Sequence, residues 1–107
     1  MMRSDRVISN ELEWQPSGAE GFWIKPLRED HERGERTLLM KVDPGAWVAS
    51  HAHEDEFEEC FVVEGSFYDE HGTLNAGDYC SREPGEPHTA GSRDGALILL
   101  IYSKRAG

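Results

Sequence analysis

Long apolar runs are missing from this 107-residue chain. The longest, Ala96 to Tyr102, falls far short of the roughly 20 apolar residues that a membrane-spanning helix needs. The start, Met1-Met2-Arg3-Ser4-Asp5-Arg6, lacks the apolar stretch of a secretory signal, so a cytoplasmic location is expected. Positive charge is scarce: 11 Lys and Arg stand against 21 Asp and Glu, a formal net charge of −10. So acidic a surface repels phosphate backbones and anionic lipid, which argues against nucleic acid and membrane as partners. Cysteine is scarcer still, with only Cys60 and Cys80. No C-x-x-C or finger-like Cys/His spacing exists, so a sulfur-rich zinc site is excluded. The two thiols read as small buried hydrophobes in a reducing compartment. Helical periodicity is also absent, since no segment repeats its apolar residues at the helical period.

What remains is a succession of short apolar segments punctuated by turns about every eight to ten residues, the pattern of a β-sandwich or barrel. Residues 1–11 are polar and read as a flexible N-terminal arm, and residues 12–107 as one domain. Phe22-Trp23-Ile24 reads as an edge strand stopped by Pro26, and Thr37 to Val42 as a strand ended by Asp43-Pro44-Gly45. Asp69-Glu70-His71-Gly72 reads as a hairpin bend, and Ala96 to Tyr102 as a strand buried on both faces.

The chemistry concentrates between Gly45 and Gly65. His51 and His53 are one residue apart on an extended segment, so they point to the same side. A short loop then lets the returning strand bring Glu58 to that side, with Glu59 turned outward by alternation. A second stretch from Gly77 through the tight turn Pro84-Gly85-Glu86-Pro87 supplies His88. Three imidazoles and a carboxylate make a site for one divalent transition metal, and the set suits Fe, Zn, Mn, Ni or Cu. Without an ion, four such groups in a small barrel would leave unpaired donors and a stranded carboxylate. His31 and His71 lie in solvated turns and read as surface residues.

These residues resemble the two motifs of the cupin superfamily. The first, G-x5-H-x-H-x3-4-E-x6-G, is matched at Gly45, His51, His53, Glu58 and Gly65. The second, G-x5-P-x-G-x2-H-x3-N, is matched at Gly77, Gly85 and His88, with Glu83 in place of the proline and Ser92 in place of the asparagine. The wording Glu64-Gly65-Ser66-Phe67-Tyr68-Asp69-Glu70-His71-Gly72 with Pro84-Gly85-Glu86-Pro87-His88-Thr89 is similar to the cupin domain of ChrR-type anti-sigma factors. The same subgroup resembles small iron dioxygenases that cleave diketones and hydroxyacetophenones. The resemblance implies an all-β jelly-roll barrel, the double-stranded β-helix, with His51, His53, Glu58 and His88 as metal ligands.

Two functions follow from it as expectations. One is an Fe(II)-type dioxygenase acting on a small enolisable or phenolic ketone, with no dedicated acid–base residue evident. The other is a non-catalytic, zinc-bound sensing module of the ChrR kind. Complete proteins of that kind add an N-terminal zinc-binding helical domain, and this sequence has no second His/Cys cluster to match it. Trp47, Cys60, Phe61 and Tyr79 are the expected cavity wall. If Glu58 faces inward, Cys60 does too, where its thiol could tune or poison the metal. The apolar Trp14 and Trp23 segments read as an uncovered edge, so a homodimer is expected in which the N-terminal segment packs against the partner's sheet or adds a strand to it.

Overall fold

The computed structural model describes residues 4–105. Residues 1–3 of the expected arm lie outside the described residues. Residues 4–8 carry no regular structure and are exposed, and a 3-10 turn, Ser9–Glu11, follows. The Lys25 ammonium donates to the Ser9 carbonyl at 2.8 Å, tying this turn to the body.

Among the described residues, nine strands make up the body: β1 Gln15–Pro16, β2 Phe22–Asp30, β3 Glu35–Val42, β4 Trp47–His51, β5 Glu56–Asp69, β6 Gly72–Asn75, β7 Tyr79–Arg82, β8 His88–Gly91 and β9 Ala96–Lys104. All pairings are antiparallel, in the order β1-β2-β3-β9-β5-β8-β4, with β6 and β7 also on β5. There is no α-helix among the described residues, so none is long and apolar enough to cross a membrane.

Strand β5 makes the barrel by belonging to both sheets. Its first part pairs with β9 and β7, and its end pairs with β6 and β8. The change of sheet falls at a register shift between Val62 and Glu64, followed by Gly65 with φ +77°. A Cβ on Gly65 would meet the Gly95 carbonyl oxygen, so this bend takes glycine on two grounds.

Inward-facing Phe22, Leu38, Val42, Val62, Ile98 and Leu100 form the heart of the core. Strand β9 differs from expectation. Its even-numbered residues from Ala96 to Tyr102 are buried, whereas Leu97 and Leu99 are half-buried and Ile101 is exposed. The strand has one covered face, because no layer packs on the outside of its sheet. Strand β2 also runs past Pro26, through a register shift between Pro26 and Arg28. The proline is accommodated because β1 ends its pairing at Ile24, leaving no partner to receive an N–H at position 26. The N-terminal segment itself covers this edge: Gln15 pairs with Ile24 and Pro16 with Trp23, while the Lys25 and Lys41 ammoniums sit over the Trp14 ring. Here the segment adds its strand to its own sheet rather than to a partner's.

Candidate metal centre

Strand β4 ends on His51, and β8 begins on His88 directly opposite it. The two ring centroids lie 4.4 Å apart. His53 follows β4 in the loop, with its ring 5.6 Å from that of His51 and 6.2 Å from that of His88. One ring nitrogen from each histidine joins a group whose members all lie within 4.8 Å of one another.

The donor set fits a metal. His51 Nδ1 lies 3.1 Å from the Ala49 carbonyl oxygen, and His88 Nδ1 lies 3.3 Å from that of Glu86. A carbonyl only accepts, so each Nδ1 carries the proton and each Nε2 keeps its lone pair for an ion. Burial, and then the Arg82 charge, hold the His88 pKa below its ordinary value, favouring the neutral ligand form.

Glu58 is buried beside these rings, with Oε2 3.5 Å from His53 Nε2 and Oε1 3.8 Å from His88 Nε2. It stands outside the tight histidine group, and its shortest contact is elsewhere. Arg82 Nε donates to Glu58 Oε1 at 3.0 Å, and Arg82 Nη1 donates to Asp69 Oδ2 at 2.9 Å. The stranded carboxylate expected of a metal-free site is therefore not found. Arg82 is its counter-ion, and no buried side-chain nitrogen or oxygen among the described residues lacks a hydrogen-bond partner. Spacing gave no sign of Arg82. It meets Glu58 only because β7 pairs with β5 in the register that sets the two residues opposite.

The rings and Glu58 line a cavity of about 270 Å³. Its wall is mostly apolar, with Phe22, Ile24, Leu38, Met40, Val48 and Leu100 prominent. Tyr102 lines the cavity beside His53, at 5.1 Å between ring centroids. Burial and the adjacent Glu58 charge push the Tyr102 phenol far up, so it stays protonated. Arg36 lies 4.2 Å from the centre of the Tyr102 ring and gives two hydrogen bonds to Glu56, at 3.1 and 3.0 Å. Neither Arg36 nor Tyr102 belongs to a motif.

Of the four residues expected on the wall, Cys60 lines the cavity. The other three do not: Trp47 is 57%, Phe61 40% and Tyr79 53% exposed. Alternation explains Phe61, since Glu58, Cys60 and Val62 take the inner face of β5. Tyr79 is the cross-strand partner of Phe61, and its hydroxyl donates to outward-facing Glu59 at 2.7 Å. Trp47 is displaced by a register shift between Val48 and His51, which turns Val48 inward instead. The Cys60 thiol is pushed far up by its hydrogen bond to Cys80 and by burial, and Cys80 is lowered by receiving that bond.

His31 and His71 stand apart, the first beside Glu29 at 3.4 Å and the second beside Glu70 at 3.8 Å, both highly exposed. Ser92, in the place of the motif's asparagine, is fully buried and structural. Its hydroxyl donates to the Ser66 carbonyl at 2.7 Å and accepts from the Gly95 N–H at 2.8 Å.

Comparison with known proteins places this geometry in a family. A family model described as the ChrR cupin-like domain matches residues 3–105. An oxalate-binding protein of Thermotoga maritima is 36% identical over 78 residues, which cover 66% of this chain and 64% of that protein, just under two thirds of its length. The solved complex of Rhodobacter sphaeroides SigE with the anti-sigma ChrR contains a chain that superposes with a TM-score of 0.72 at 25% identity, covering 88% of this chain and 50% of that one. An acetylacetone dioxygenase from Acinetobacter johnsonii superposes with a TM-score of 0.78 over 96% of this chain and 74% of that one. At 18% identity it shows a shared fold alone.

Proposed function

The chain belongs to the ChrR cupin-like family, and from that premise we propose that it is a metal-dependent cupin of the Fe(II) dioxygenase type, acting on a small enolisable or phenolic ketone. One observation carries this reading: three imidazoles converge on the wall of a small, largely apolar cavity. A purely anionic ligand would find few free partners there, since the Arg36 and Arg82 guanidiniums are already paired with carboxylates. A largely apolar ligand with one metal-binding oxygen suits both halves of the site.

His51, His53 and His88 would hold the ion, with Glu58 as the adjacent carboxylate. A bound Fe(II) supplies Lewis acidity and redox chemistry toward dioxygen. The chain supplies the rest. Phe22, Ile24, Leu38 and Leu100 strip water from the ligand and strengthen its polar contacts with the histidine side of the cavity. Arg82 and Asp69 fix the Glu58 carboxylate against β7. Tyr102 presents a protonated phenol to the same cavity.

The test is oxygen uptake by Fe(II)-loaded protein offered a β-diketone or a hydroxyphenyl ketone, together with nitric oxide binding read by electron paramagnetic resonance. Turnover that disappears in His51→Ala and His88→Ala supports the reading. A second reading, the zinc-bound sensing module, draws on the family match and on the engagement of Glu58 by Arg82. A tetrahedral zinc centre with no displaceable position, inert to these ketones, would decide for it.

The free thiols Cys60 and Cys80 suit a reducing compartment, which supports our proposal of a cytoplasmic location. A homodimer remains our proposal, by a different surface from the tryptophan edge. Exposed Phe61, Val63, Tyr79 and Ile101 lie together on the outer face of β5, β7 and β9, a face for a second copy to cover.

A further inference from the structure

We propose that Cys80 and Cys60 form a site of oxidative modification, at which a small hydroperoxide converts the two thiols into a cross-strand disulfide. Both cysteines are free, and they are direct cross-strand partners on β5 and β7. Directly opposed residues of an antiparallel pair have Cα atoms about 4.5–5.5 Å apart. That range lies inside the roughly 4.4–6.8 Å that a disulfide spans. The side chains are also neighbours, since directly opposed residues of an antiparallel pair project to the same face of the ladder. No large movement is needed to join them, and β7 is a short strand paired to β5 alone, free to adjust.

Access sets the order of events. Cys60 is 1% exposed and lines the inner cavity. Cys80 is half-buried and lines a separate surface pocket of about 300 Å³ with Asp69, Thr73, Leu74 and Arg82. As cross-strand partners the two side chains project to the same face of the β5–β7 ladder, and Cys80, half-buried where Cys60 is covered, is the more accessible sulfur. The Cys80 sulfur attacks the terminal oxygen of the hydroperoxide. The O–O bond breaks, the thiol proton goes to the departing alkoxide or hydroxide, and Cys80 becomes a sulfenic acid. The Cys60 sulfur then attacks the Cys80 sulfur and expels its hydroxyl, which leaves as water with the Cys60 proton. Two thiols lose two electrons in total, and one hydroperoxide is reduced to an alcohol (or water) and water. The new bond lies two rungs from Glu58 and Arg82, on the same face, and removes the Cys60 thiol from the cavity wall, whichever metal fills the centre.

The experiment treats zinc-loaded full chain with a tenfold excess of hydrogen peroxide and reads intact mass and a non-reducing peptide map. Zinc is used so that no iron-driven radical chemistry contributes. The expected result is a mass loss of about 2 Da, with the Cys60 and Cys80 peptides joined within one chain, reversed by dithiothreitol. In Cys60→Ser the modification should stop on Cys80 as a gain of about 16 or 32 Da, and in Cys80→Ser, Cys60 should stay unmodified. The proposal is overturned if the wild-type chain keeps both thiols under conditions that oxidise glutathione, or links only between chains. It is equally overturned if Cys80→Ser is oxidised at Cys60 as fast as the wild type. The wild-type arm decides the matter by itself should a variant fail to fold.

Discussion

Replacing Arg82 by methionine is the sharpest perturbation of the centre, because it keeps an unbranched stem in the same place and removes the guanidinium with its charge and hydrogen bonds. Arg82 is 6% exposed and its two carboxylate partners, Glu58 and Asp69, are 7% and 11% exposed. The substitution strands both in the barrel interior. Removing one member of a buried ion pair is destabilising by about 3–5 kcal/mol, largely because the remaining charge is left uncompensated. A domain of this size has about 5–15 kcal/mol in total, so the variant folds with most of its margin gone. With a urea dependence of about 1.5 kcal/mol per molar, the unfolding midpoint falls by roughly 2–3 M. The assay is urea unfolding of chelator-treated protein followed by tryptophan fluorescence. Lys104→Met is the control, since Lys104 and Asp55 form an ion pair at 3.5 Å with both side chains 63% exposed, worth about 0–1 kcal/mol. The double variant Arg82→Met/Glu58→Gln removes one stranded charge and should recover part of the loss. A loss below about 1 kcal/mol for Arg82→Met, or a double variant that loses the sum of the two single changes, refutes the assignment of Arg82 as counter-ion.

Other outcomes follow from the same contacts. Purified protein should bind about one divalent transition metal per chain. By isothermal titration, His51→Ala or His88→Ala should weaken that binding at least tenfold, while His31→Ala and His71→Ala leave it unchanged. Ser92→Ala should lower stability by about 1–3 kcal/mol in urea unfolding, because the half-buried Gly95 N–H loses its acceptor and the Ser66 carbonyl its donor. Glu70 accepts hydrogen bonds from the Thr89 N–H and hydroxyl, both at 2.8 Å, which hold its carboxyl down to about 2 from 4.5. A depressed carboxyl contributes stability that is present above 4.5 and lost as pH falls toward 2, so Glu70→Gln should flatten the acid limb of the stability profile over that window. Light scattering at micromolar concentration should give twice the 12.1 kDa chain mass, and Phe61→Glu should return it to the monomer value.

The histidines were legible in the sequence because their positions follow from local geometry. His51 and His53 sit near one strand end, and His88 opens the strand that pairs with it. Parity also gave the facing of Glu58, Cys60 and Glu59, which depends on β5 alone. The same rule, applied consistently, would have placed Phe61 outside, but its aromatic ring invited the opposite reading. An exposed apolar side chain carries no local mark, and only the absence of a covering layer puts it in solvent. Trp47 failed for another reason. Counting back in twos from His51 turns Trp47 inward, and the register shift after Val48 reverses that parity. Bulges are set by the partner strand, so no pattern within β4 could reveal this one.

Arg82 lies beyond any spacing argument. It is 24 residues from Glu58 in sequence and reaches it through the β5–β7 register. That register is fixed by the turn between β6 and β7, where the Asn75 N–H bonds the Asp78 carboxylate at 2.7 Å, the Gly77 N–H bonds the Val62 carbonyl at 2.8 Å, and Gly77 takes φ +93°. A slip of one residue would turn Arg82 outward and set Ser81 or Glu83 opposite Glu58, leaving the buried carboxylate without its cation. The glycine and aspartate that open the second motif therefore act on the metal centre at a distance. They contribute no side chain to it, and they decide which residue neutralises Glu58.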